Sequence, residues 1–405
     1  MSALLSPATR GGTVRDRDVA NPDTGRFPCR TLQIGIRWFS ETAGGAARYY
    51  YHLVCALADM GVDVRGLVIG SDAAARETGG RVRAFSEDSV SFAARMRAAR
   101  RAIEASVRDF APHLITSHFA LFAVPALDLI RDHPYVVHFH GPWAAESRAE
   151  GDSRFGVAYK RLIETLVYRR ADRCIALSHA FARILVERYG VAEDRVRVVP
   201  GGVDASRFER TESRGDARDV LGWPRDRPII LAVRRLTQRM GLGNLIEAMI
   251  EVRRRVPEAL LLIAGKGALR ASLESQVTAL GLQQHVRFLG FVPDASLPLA
   301  YRAADIVVMP TRELEGFGLT AVEALAAGTP VLVTPIGGLP EVVRQFDDRL
   351  ILEGLSPEHI ASGVARAFVS PSCLPTAGAC ADFARRTYDW PIIARAVHNV
   401  YHELA

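Results

Sequence analysis

The sequence predicts two α/β domains, each built on a parallel sheet with helices on both faces. The first observation is the length, because 405 residues exceed what one hydrophobic core usually organises. The second is an alternation of short apolar runs with helical periodicity from Thr31 to the C-terminus, which is the pattern of parallel strands joined by helices. The third is that the apolar runs are nearly continuous, as in strands buried on both faces.

The first domain is predicted over residues 31–204. It begins with an apolar strand at Leu32–Phe39, a turn at Gly44 and Gly45, and a helix with apolar residues at helical spacing. Residues 1–30 are predicted to be a disordered leader, because their apolar stretch is too short for a secretory signal. Further strands are predicted at Val62–Ile69, Leu114–His118, Tyr135–His140, Cys174–Leu177 and Val196–Val199.

Residues 205–227 lose the periodicity and are charged, so they are interpreted as an interdomain linker. The second domain is predicted over residues 228–389. Residues 390–405 form an amphipathic helix that needs a partner surface, and either the first domain or its own domain could provide one. The strands predicted in the second domain are Ile229–Val233, Leu260–Ala264, Val286–Leu289, Ile306–Met309 and Val331–Val333.

Composition limits the classes of function. The 51 Lys and Arg residues are interspersed with 45 Asp and Glu, for a net charge of +6, which suits anionic small ligands or a membrane surface. No basic run is interleaved with aromatic residues, so nucleic acid is not an expected partner. No apolar run reaches the roughly 20 residues of a membrane-spanning helix. The five cysteines lack CxxC spacing and indicate thiols in a reducing compartment, so a cytoplasmic protein is expected.

One loop has the features of a diphosphate site. Ligands of doubly wound sheets bind beyond the carboxyl ends of the strands, and the strand ending at Met309 is followed by a glycine-containing loop and a helix through Glu323. Glycines allow close approach of backbone amides, and a helix N-terminus adds free N–H groups and a positive dipole end. The predicted binding residues are Gly316, Phe317, Gly318, Leu319 and Thr320.

Two glutamates flank this helix start. Glu315 precedes the helix and Glu323 lies inside it, so their carboxylates would accept hydrogen bonds from sugar and ribose hydroxyls on either side of the phosphates. Taken as an isolated pair, they would more often be exposed acids beside a helix. The stretch EGFGLTAVEALAAGTPV, residues 315–331, argues against that interpretation, because it resembles the signature of glycosyltransferase family 4, with two glutamates separated by seven residues.

Other landmarks of that family occur in the same order, and the resemblance spans about Leu32 to Trp390. It implies the GT-B fold, in which two Rossmann-like doubly wound domains face each other across a cleft. It also implies transfer of a sugar from a nucleotide diphosphate donor, with retained anomeric configuration and without a catalytic nucleophile, metal or other cofactor. The similar segments are Pro200–Asp204, Gly265–Gly267, Val286–Gly290 and Gly337–Val342.

The resemblance also implies residue roles. Glu315 would contact the donor sugar and Glu323 the ribose, while Gly44 and Gly45 would face the phosphates or acceptor from the first domain. Arg235 matches an arginine that neutralises the diphosphate. The family's lysine position is occupied by Met240, and we expect Arg239 to replace it, with Lys266 as an alternative phosphate ligand.

Two histidines lie on one face of a predicted strand. His140, at its carboxyl end, matches a histidine that the family places at the reacting sugar, and His138 is expected to be structural. A zinc site lacks a third ligand at suitable spacing. Glu146 and Arg148 follow closely and could line an acceptor pocket, although surface positions are the default for such residues.

Several alternatives stay open at this stage. A sugar phosphorylase or nucleotide-sugar epimerase could use the same scaffold, and Met240 makes a non-enzymatic nucleotide-sugar binding protein conceivable. The acceptor, either a sugar or a lipid-linked molecule, is not specified by the sequence. The segment Phe92–Ile103 is a basic amphipathic helix that could contact anionic lipid peripherally or pack its apolar stripe on the sheet.

Overall fold

Two parallel sheets organise the chain in the computed structural model, which describes residues 29–42, 44–209 and 212–404. Within them, every pair of adjacent strands runs parallel. The prediction of two doubly wound domains is therefore confirmed. The predicted leader lies outside the described residues except for its end, where Arg30 already begins the first strand.

The first sheet has seven strands. In chain order they are β1 (Arg30–Arg37), β2 (Asp63–Ile69), β3 (Val82–Ser86), β4 (Leu114–Ser117), β5 (Tyr135–Phe139), β6 (Arg173–Ala176) and β7 (Val196–Val198). Their spatial order is β3-β2-β1-β4-β5-β6-β7. The order reverses beside β1, and ligands of doubly wound sheets bind at such a point.

Helices cover both faces of this sheet. Alternate residues of β5 enter different hydrophobic clusters, since Val136 packs in one and Val137 in the other, as the two-residue repeat of a strand requires. The helices of the first domain are α1 (Gly45–Asp59), α2 (Ala73–Glu77), α3 (Phe92–Phe110), α4 (Ala120–Ala123), α5 (Leu127–Ile130), α6 (Trp143–Ala149), α7 (Arg154–Arg170) and α8 (His179–Tyr189).

The second sheet has five strands, in the spatial order β10-β9-β8-β11-β12. They are β8 (Ile229–Val233), β9 (Leu260–Ala264), β10 (Val286–Gly290), β11 (Ile306–Met309) and β12 (Val331–Val333). The remaining helices are α9 (Arg214–Leu221), α10 (Leu242–Arg255), α11 (Arg270–Ala279), α12 (Leu297–Ala303), α13 (Leu319–Ala326), α14 (Leu339–Arg344), α15 (Pro357–Val369), α16 (Ala377–Tyr388) and α17 (Trp390–His402).

The segment 205–227, interpreted as a linker, differs from that interpretation. It contains α9, which packs on α12 of the second domain. Ser213 caps α9, because its hydroxyl accepts from the amide of Asp216 while the Asp216 carboxylate accepts from the amide of Ser213. This reciprocal pair satisfies two backbone donors and starts a helix that has little apolar character.

Helix α17 crosses from the second domain to the first and packs on α1. The hydroxyl of Tyr401 lies 2.7 Å from Nε2 of His138, and Glu403 accepts hydrogen bonds from Arg173 and Arg197. Trp390 stacks on His52 with ring centroids 5.6 Å apart. The C-terminal helix therefore ties the second domain to the sheet of the first.

A second contact between the domains lies at the start of α8. The carboxylate of Glu341, on α14, accepts hydrogen bonds from the amides of His179 and Ala180 at 2.8 and 2.9 Å. A negative charge at a helix N-terminus satisfies unpaired N–H groups and complements the helix dipole. Among the described residues, no helix combines the length and apolar character needed to cross a membrane.

Candidate active site

The loop between β11 and α13 takes a strained path. Leu314 has a φ of 55°, in the left-handed region that costs a branched L-residue about 1–2 kcal/mol. Its carbonyl accepts a hydrogen bond of 2.9 Å from Nη1 of Arg239. Such conformations persist where the surroundings hold them, and they cluster at functional sites. Arg239 therefore fixes the loop directly before Glu315.

Glu315 is paired with a buried arginine. Nη2 of Arg234 donates to the Glu315 carboxylate and also to Oγ1 of Thr311, the latter at 2.5 Å. Both charged side chains are largely shielded from solvent, where a charged hydrogen bond is stronger than at the surface. Glu315 is thus held at the carboxyl ends of β8 and β11, the edge at which ligands of such sheets bind.

Arg235, the arginine predicted to face the diphosphate, lies at the rim of the cleft. Its side chain is 57% exposed, and Nη1 is 3.8 Å from a carboxylate oxygen of Glu150 in the first domain. The inward-facing neighbour is Arg234, which sequence reasoning missed. Consecutive residues of an extended chain point to opposite sides, so the Arg234-Arg235 pair was itself a signal that one arginine faces inward.

Arg239 is buried between the two domains. Its Nη2 lies 3.6 Å from Oε1 of Glu146, which belongs to α6 of the first domain. Burial lowers the pKa of Arg239, and the charge of Glu146 opposes that shift. Burial likewise raises the pKa of Glu146, against the charges of Arg239 and Arg235. Met240, at the family's lysine position, is buried, so Arg239 is the cation that this segment brings into the cleft.

The N-terminus of α13 has no capping side chain. No side chain caps it and its first turn has no acid, so its first N–H groups lack side-chain partners. Gly318, the residue before the helix, has a φ of 93°, which strongly favours glycine. A Cβ built on Gly45 would lie 3.8 Å from Leu319. The starts of α13 and α1 therefore face each other across the cleft.

The predicted binding segment divides into two parts. Gly316 and Phe317 serve packing, because a Cβ on Gly316 would meet the ring of Phe181 and Phe317 packs edge-on against Tyr388 with ring centroids 5.4 Å apart. Leu319 and Thr320 are partly exposed at the helix start. Only the second part is accessible to solvent.

Glu323 is buried, and its carboxylate is hydrogen-bonded to one residue of each domain. Its carboxylate accepts hydrogen bonds from Arg48 of α1 at 2.9 Å and from the hydroxyl of Tyr301 at 2.8 Å. Burial raises the pKa of Glu323, while Arg48 and Tyr301 oppose the shift. Arg48 also pairs with Asp294, which in turn pairs with Arg207. Arg48 and Asp294 were not predicted, because nothing local in the sequence connects them to Glu323.

Lys266 lies apart from these acids. Its side chain is exposed, and its ammonium group lies 5.2 Å from the ring centroid of Phe291. Phe291 follows β10 and is itself 53% exposed. The structure thus places Lys266 beside an aromatic ring at the outer part of the carboxyl edge.

Three histidines, not two, meet at the carboxyl ends of β4 and β5. The rings of His118 and His138 stack with centroids 4.2 Å apart, and Nδ1 of His118 lies 3.1 Å from Nε2 of His140. His138 bonds Tyr401 and is buried, in agreement with the structural role expected for it. His118 was missed because it follows a different strand.

The hydrogen bonds around His118 assign the tautomer of His140. The side-chain oxygen of Gln33 lies 3.1 Å from Nε2 of His118, so that nitrogen carries the proton and Nδ1 is an acceptor. His140 must then donate from Nε2, which leaves its own Nδ1 with a lone pair. Burial lowers the pKa of His140 from its ordinary 6.5 to about 4. His140 is therefore neutral near pH 7 and can accept a hydrogen bond from a hydroxyl group.

The three histidines predict acid sensitivity of the fold. Burial, with repulsion from neighbouring imidazolium groups, also lowers the pKa values of His118 and His138. The unfolded chain then binds more protons than the folded chain below pH 6.5, so stability is complete above pH 6.5 and falls as the pH decreases toward 4. Over this pH range, we expect His140 alone to lower the free energy of unfolding by about 2–3 kcal/mol. Urea unfolding at successive pH values would measure this change.

A matched variant separates this effect from general acid denaturation. His140→Asn keeps a polar side chain but does not titrate, so its stability should depend less steeply on pH between 6.5 and 4 than that of the unmodified chain. Identical slopes for the two proteins would contradict the assignment of a lowered pKa to His140.

A cavity of about 360 Å³ opens beside Leu314. Its walls come from α6 and α8 of the first domain and from the β11–α13 loop of the second. Arg148, Arg188 and Arg312 line it, with Glu313 as the only acid among the lining residues. Arg148, named from the sequence as a possible pocket residue, therefore lines a cavity. Glu146, named with it, is not one of the lining residues and instead contacts Arg239. Within the described residues, no group of three or more His, Cys, Asp or Glu could hold a metal ion.

Comparison with known proteins matches both domains to glycosyltransferase models. Residues 43–207 match the model of Glycosyltransferase Family 4, and residues 213–387 match that of Glycosyl transferases group 1. An uncharacterised glycosyltransferase of Methanocaldococcus jannaschii is 31% identical over 301 residues, covering 69% of this chain and 76% of that protein. A D-inositol 3-phosphate glycosyltransferase of Corynebacterium jeikeium is 34% identical over 267 residues, covering 64% of this chain and 63% of that relative.

A solved structure reproduces the two-domain arrangement. The Anabaena protein HepE, in complex with UDP and glucose, superposes with a TM-score of 0.76 at 19% identity, covering 93% of this chain and all of that one. At this identity the likeness shows the shared fold. The two family models together with the M. jannaschii relative establish that the chain belongs to glycosyltransferase family 4, within the group 1 glycosyltransferases.

Proposed function

We propose that the chain transfers a sugar from a nucleotide diphosphate donor to a hydroxyl group of an acceptor, with retained anomeric configuration. The observation that carries the proposal is the uncapped N-terminus of α13, with Glu315 before it and Glu323 inside it, facing the start of α1. Free amides attract a diphosphate, and flanking carboxylates suit the hydroxyl groups on either side of it.

The donor would lie along the carboxyl edge of the second sheet. The amides near Gly318 would bind the diphosphate, with Arg239 and Arg235 supplying positive charge and Lys266 further out. Glu315 would accept hydrogen bonds from the sugar, and Glu323 from the ribose. His140, through Nδ1, would accept a hydrogen bond from a hydroxyl of the donor sugar, because its Nε2–H is directed at His118.

The proposed reaction is a front-face displacement. As the glycosidic bond breaks, negative charge develops on the leaving diphosphate, and fixed cations and helix amides stabilise such charge in a shielded site. The diphosphate would take the proton of the attacking hydroxyl, so no protein nucleophile is needed. We propose that arginines and amides, without a metal, neutralise the phosphates. Retention of activity after treatment with EDTA would support this point, and loss restored by a divalent cation would refute it.

A two-stage experiment tests the donor and the stereochemistry. In the first stage, thermal unfolding is followed with UDP, GDP, ADP and dTDP sugars, since a ligand at a hundred times its Kd adds about 2.7 kcal/mol of stability. In the second, the anomeric configuration of the product made from the stabilising donor is determined by NMR. An inverted product would overturn the mechanism, and stabilisation by none of these sugars would overturn the donor class.

We further propose that the acceptor carries a phosphate, bound in the cavity lined by Arg148, Arg188 and Arg312. Three arginines around one cavity suit a phosphate, which guanidinium groups bind through paired hydrogen bonds. The name of the C. jeikeium relative, a D-inositol 3-phosphate glycosyltransferase, includes a phosphorylated compound. The cavity lies between the domains, as the acceptor of a front-face reaction requires.

This proposal predicts a preference between matched acceptors. D-Inositol 3-phosphate and inositol differ only by the phosphate, and we expect the phosphorylated compound to have the lower KM. Arg312→Ala should reduce that preference by about tenfold or more, since a hydrogen bond to a charged group contributes about 1.5–3 kcal/mol. Arg386→Ala, at an exposed arginine on α16, is the control and should leave the preference unchanged. Equal KM values for the two acceptors would contradict the proposal.

The proposed compartment is the cytoplasm. All five cysteines lie within the described residues and are free thiols, and burial raises the pKa values of Cys29, Cys174 and Cys380. Such thiols are poorly reactive, and unpaired cysteines are typical of proteins in a reducing compartment. Localisation of the tagged chain in fractionated cells would test this assignment.

A further inference from the structure

Helix α7 carries a row of apolar side chains that nothing in the described chain covers. Phe155, Tyr159, Leu162 and Leu166 are 90, 54, 66 and 54% exposed. Their spacing of four, three and four residues places them on one face of the helix. Single exposed apolar residues are ordinary on protein surfaces, but a contiguous row marks an interaction surface. We call these four residues the α7 row.

The opposite face of α7 is fixed, so the row cannot turn inward. Glu164 is fully buried and accepts hydrogen bonds from the amides of Trp143 and Ala144 at 2.7 and 3.1 Å and from the hydroxyls of Tyr168 and Tyr189 at 3.1 and 2.7 Å. Rotating α7 would break the three bonds to Trp143, Ala144 and Tyr189 and leave the buried carboxylate with Tyr168 alone, which is strongly destabilising. The row is therefore a permanent feature of the surface.

The positive charge around the α7 row favours an anionic partner. Between Arg154 and Arg170, the only acid is the buried Glu164, so the solvent face of α7 has no negative charge. A second copy docked by this face would oppose cation to cation. An anionic lipid surface is complementary instead, because an apolar row enters the boundary of the acyl chains while flanking cations meet the headgroups. The basic residues of this helix are Arg154, Lys160, Arg161, Arg169 and Arg170. Lys160 is neutralised by Asp152, so the four arginines are the cations that remain for the headgroups.

The surface adjoins the cavity proposed for the acceptor. Helix α7 packs on α6, and α6 provides Arg148 and Ala149 to the cavity wall. Arg161 donates to the carbonyl of Arg188, so the cation of α7 and the cavity arginine are neighbours. A lipid surface in contact with the α7 row would therefore lie beside the entrance to the cavity.

Helix α3, which contains the basic segment named from the sequence, is less suited to lipid. Ala99 and Ile103 of its apolar stripe are buried, as the alternative of an ordinary surface helix requires. Two of its cations are already neutralised, since Arg95 pairs with Asp88 and Arg100 with Asp128. We therefore propose that the protein docks on anionic membranes through the α7 row and the cations of α7.

Vesicle binding of the full-length protein tests this proposal. We expect sedimentation with vesicles of phosphatidylcholine mixed with phosphatidylglycerol, weaker binding to phosphatidylcholine alone, and release by added salt, because salt screens the headgroup attraction. The double variant Phe155→Ser/Leu162→Ser should bind the mixed vesicles at least about tenfold more weakly, since it removes two large apolar side chains from the contact.

Controls separate docking from misfolding and from catalysis. Val220→Ser/Val369→Ser removes two side chains that are 71 and 66% exposed in the second domain and should bind like the unmodified chain. Donor hydrolysis in solution should be the same for all three proteins, which makes the result independent of the proposed transfer reaction. Equal vesicle binding by the α7 double variant and the unmodified chain would overturn the proposal. A dimer in sedimentation that the α7 variant dissociates would also overturn it, in favour of a second copy.

Discussion

Glu315→Gln is expected to lower kcat about 10²- to 10³-fold, the range seen when one preorganised polar group is removed from a transition state. The glutamine amide keeps the shape of the side chain, but it replaces one of the two acceptor oxygens of the carboxylate with an NH₂ donor. It also leaves Arg234, whose side chain is only 6% exposed, without its counter-charge. The rate is measured with the donor sugar that stabilises the protein, and thermal unfolding of the variant without donor shows whether the fold is retained.

Glu247→Gln provides the matched control for this experiment. Glu247 lies on α10 of the same domain and is exposed, so the same chemical change is made outside the pair with Arg234 and away from the proposed acceptor cavity. We expect less than about a threefold change in kcat, as is usual for a surface substitution. If Glu315→Gln retained the rate of the Glu247→Gln control, Glu315 could not be the residue that holds the donor sugar.

Gly337→Ala is expected to disrupt the second domain, with a loss of about 4 kcal/mol or more. Gly337 has a φ of 58°, and a Cβ at this position would overlap the carbonyl oxygen of Glu315. The obstacle is backbone rather than a mobile side chain, so the loop that holds Glu315 would have to move. Activity should fall together with the melting temperature, which distinguishes this variant from Glu315→Gln.

Gly281→Ala isolates the conformational part of that effect. Gly281 has a nearly identical φ of 63°, but a Cβ there would meet nothing within 4 Å. We expect Gly281→Ala to lower the free energy of unfolding by about 1–2 kcal/mol, the cost of the left-handed backbone alone, and to leave kcat unchanged. Urea unfolding of both variants gives the comparison. Similar losses of unfolding free energy in the two variants would mean that the overlap between the new Cβ at position 337 and the Glu315 carbonyl costs no stability.

The strands of the second domain were predictable because burial on both faces leaves a continuous apolar signal. Ile229–Val233, Leu260–Ala264, Ile306–Met309 and Val331–Val333 occur with the predicted ends. Helix α9 was missed because its stability depends on polar chemistry, with only Ala217 and Arg218 buried. The sequence signal for α9 was a capping box, in which Ser213 is followed three residues later by Asp216, and not a periodic spacing of apolar residues.

The site was predictable where its chemistry is local. The position of the glycines and of Glu315 and Glu323 around one helix start follows from a short segment of sequence. Their partners do not, since Arg48 and Glu323 are 275 residues apart in the chain and meet only across the cleft. The position of Arg235 at the rim, with Arg234 inside, similarly depends on where the strand β8 ends.

The crossing of α17 has a consequence for the order in which the molecule is made. His138 belongs to the first domain, but its hydroxyl partner, Tyr401, is synthesised 263 residues later. While the ribosome is still translating the second half, the first domain holds a buried imidazole that lacks this partner and an apolar face of α1 open to water. Its final packing must therefore wait until Tyr401 has been synthesised. We expect a chain truncated before Trp390 to remain in that unfinished state, although Glu315 and Glu323 would still be present.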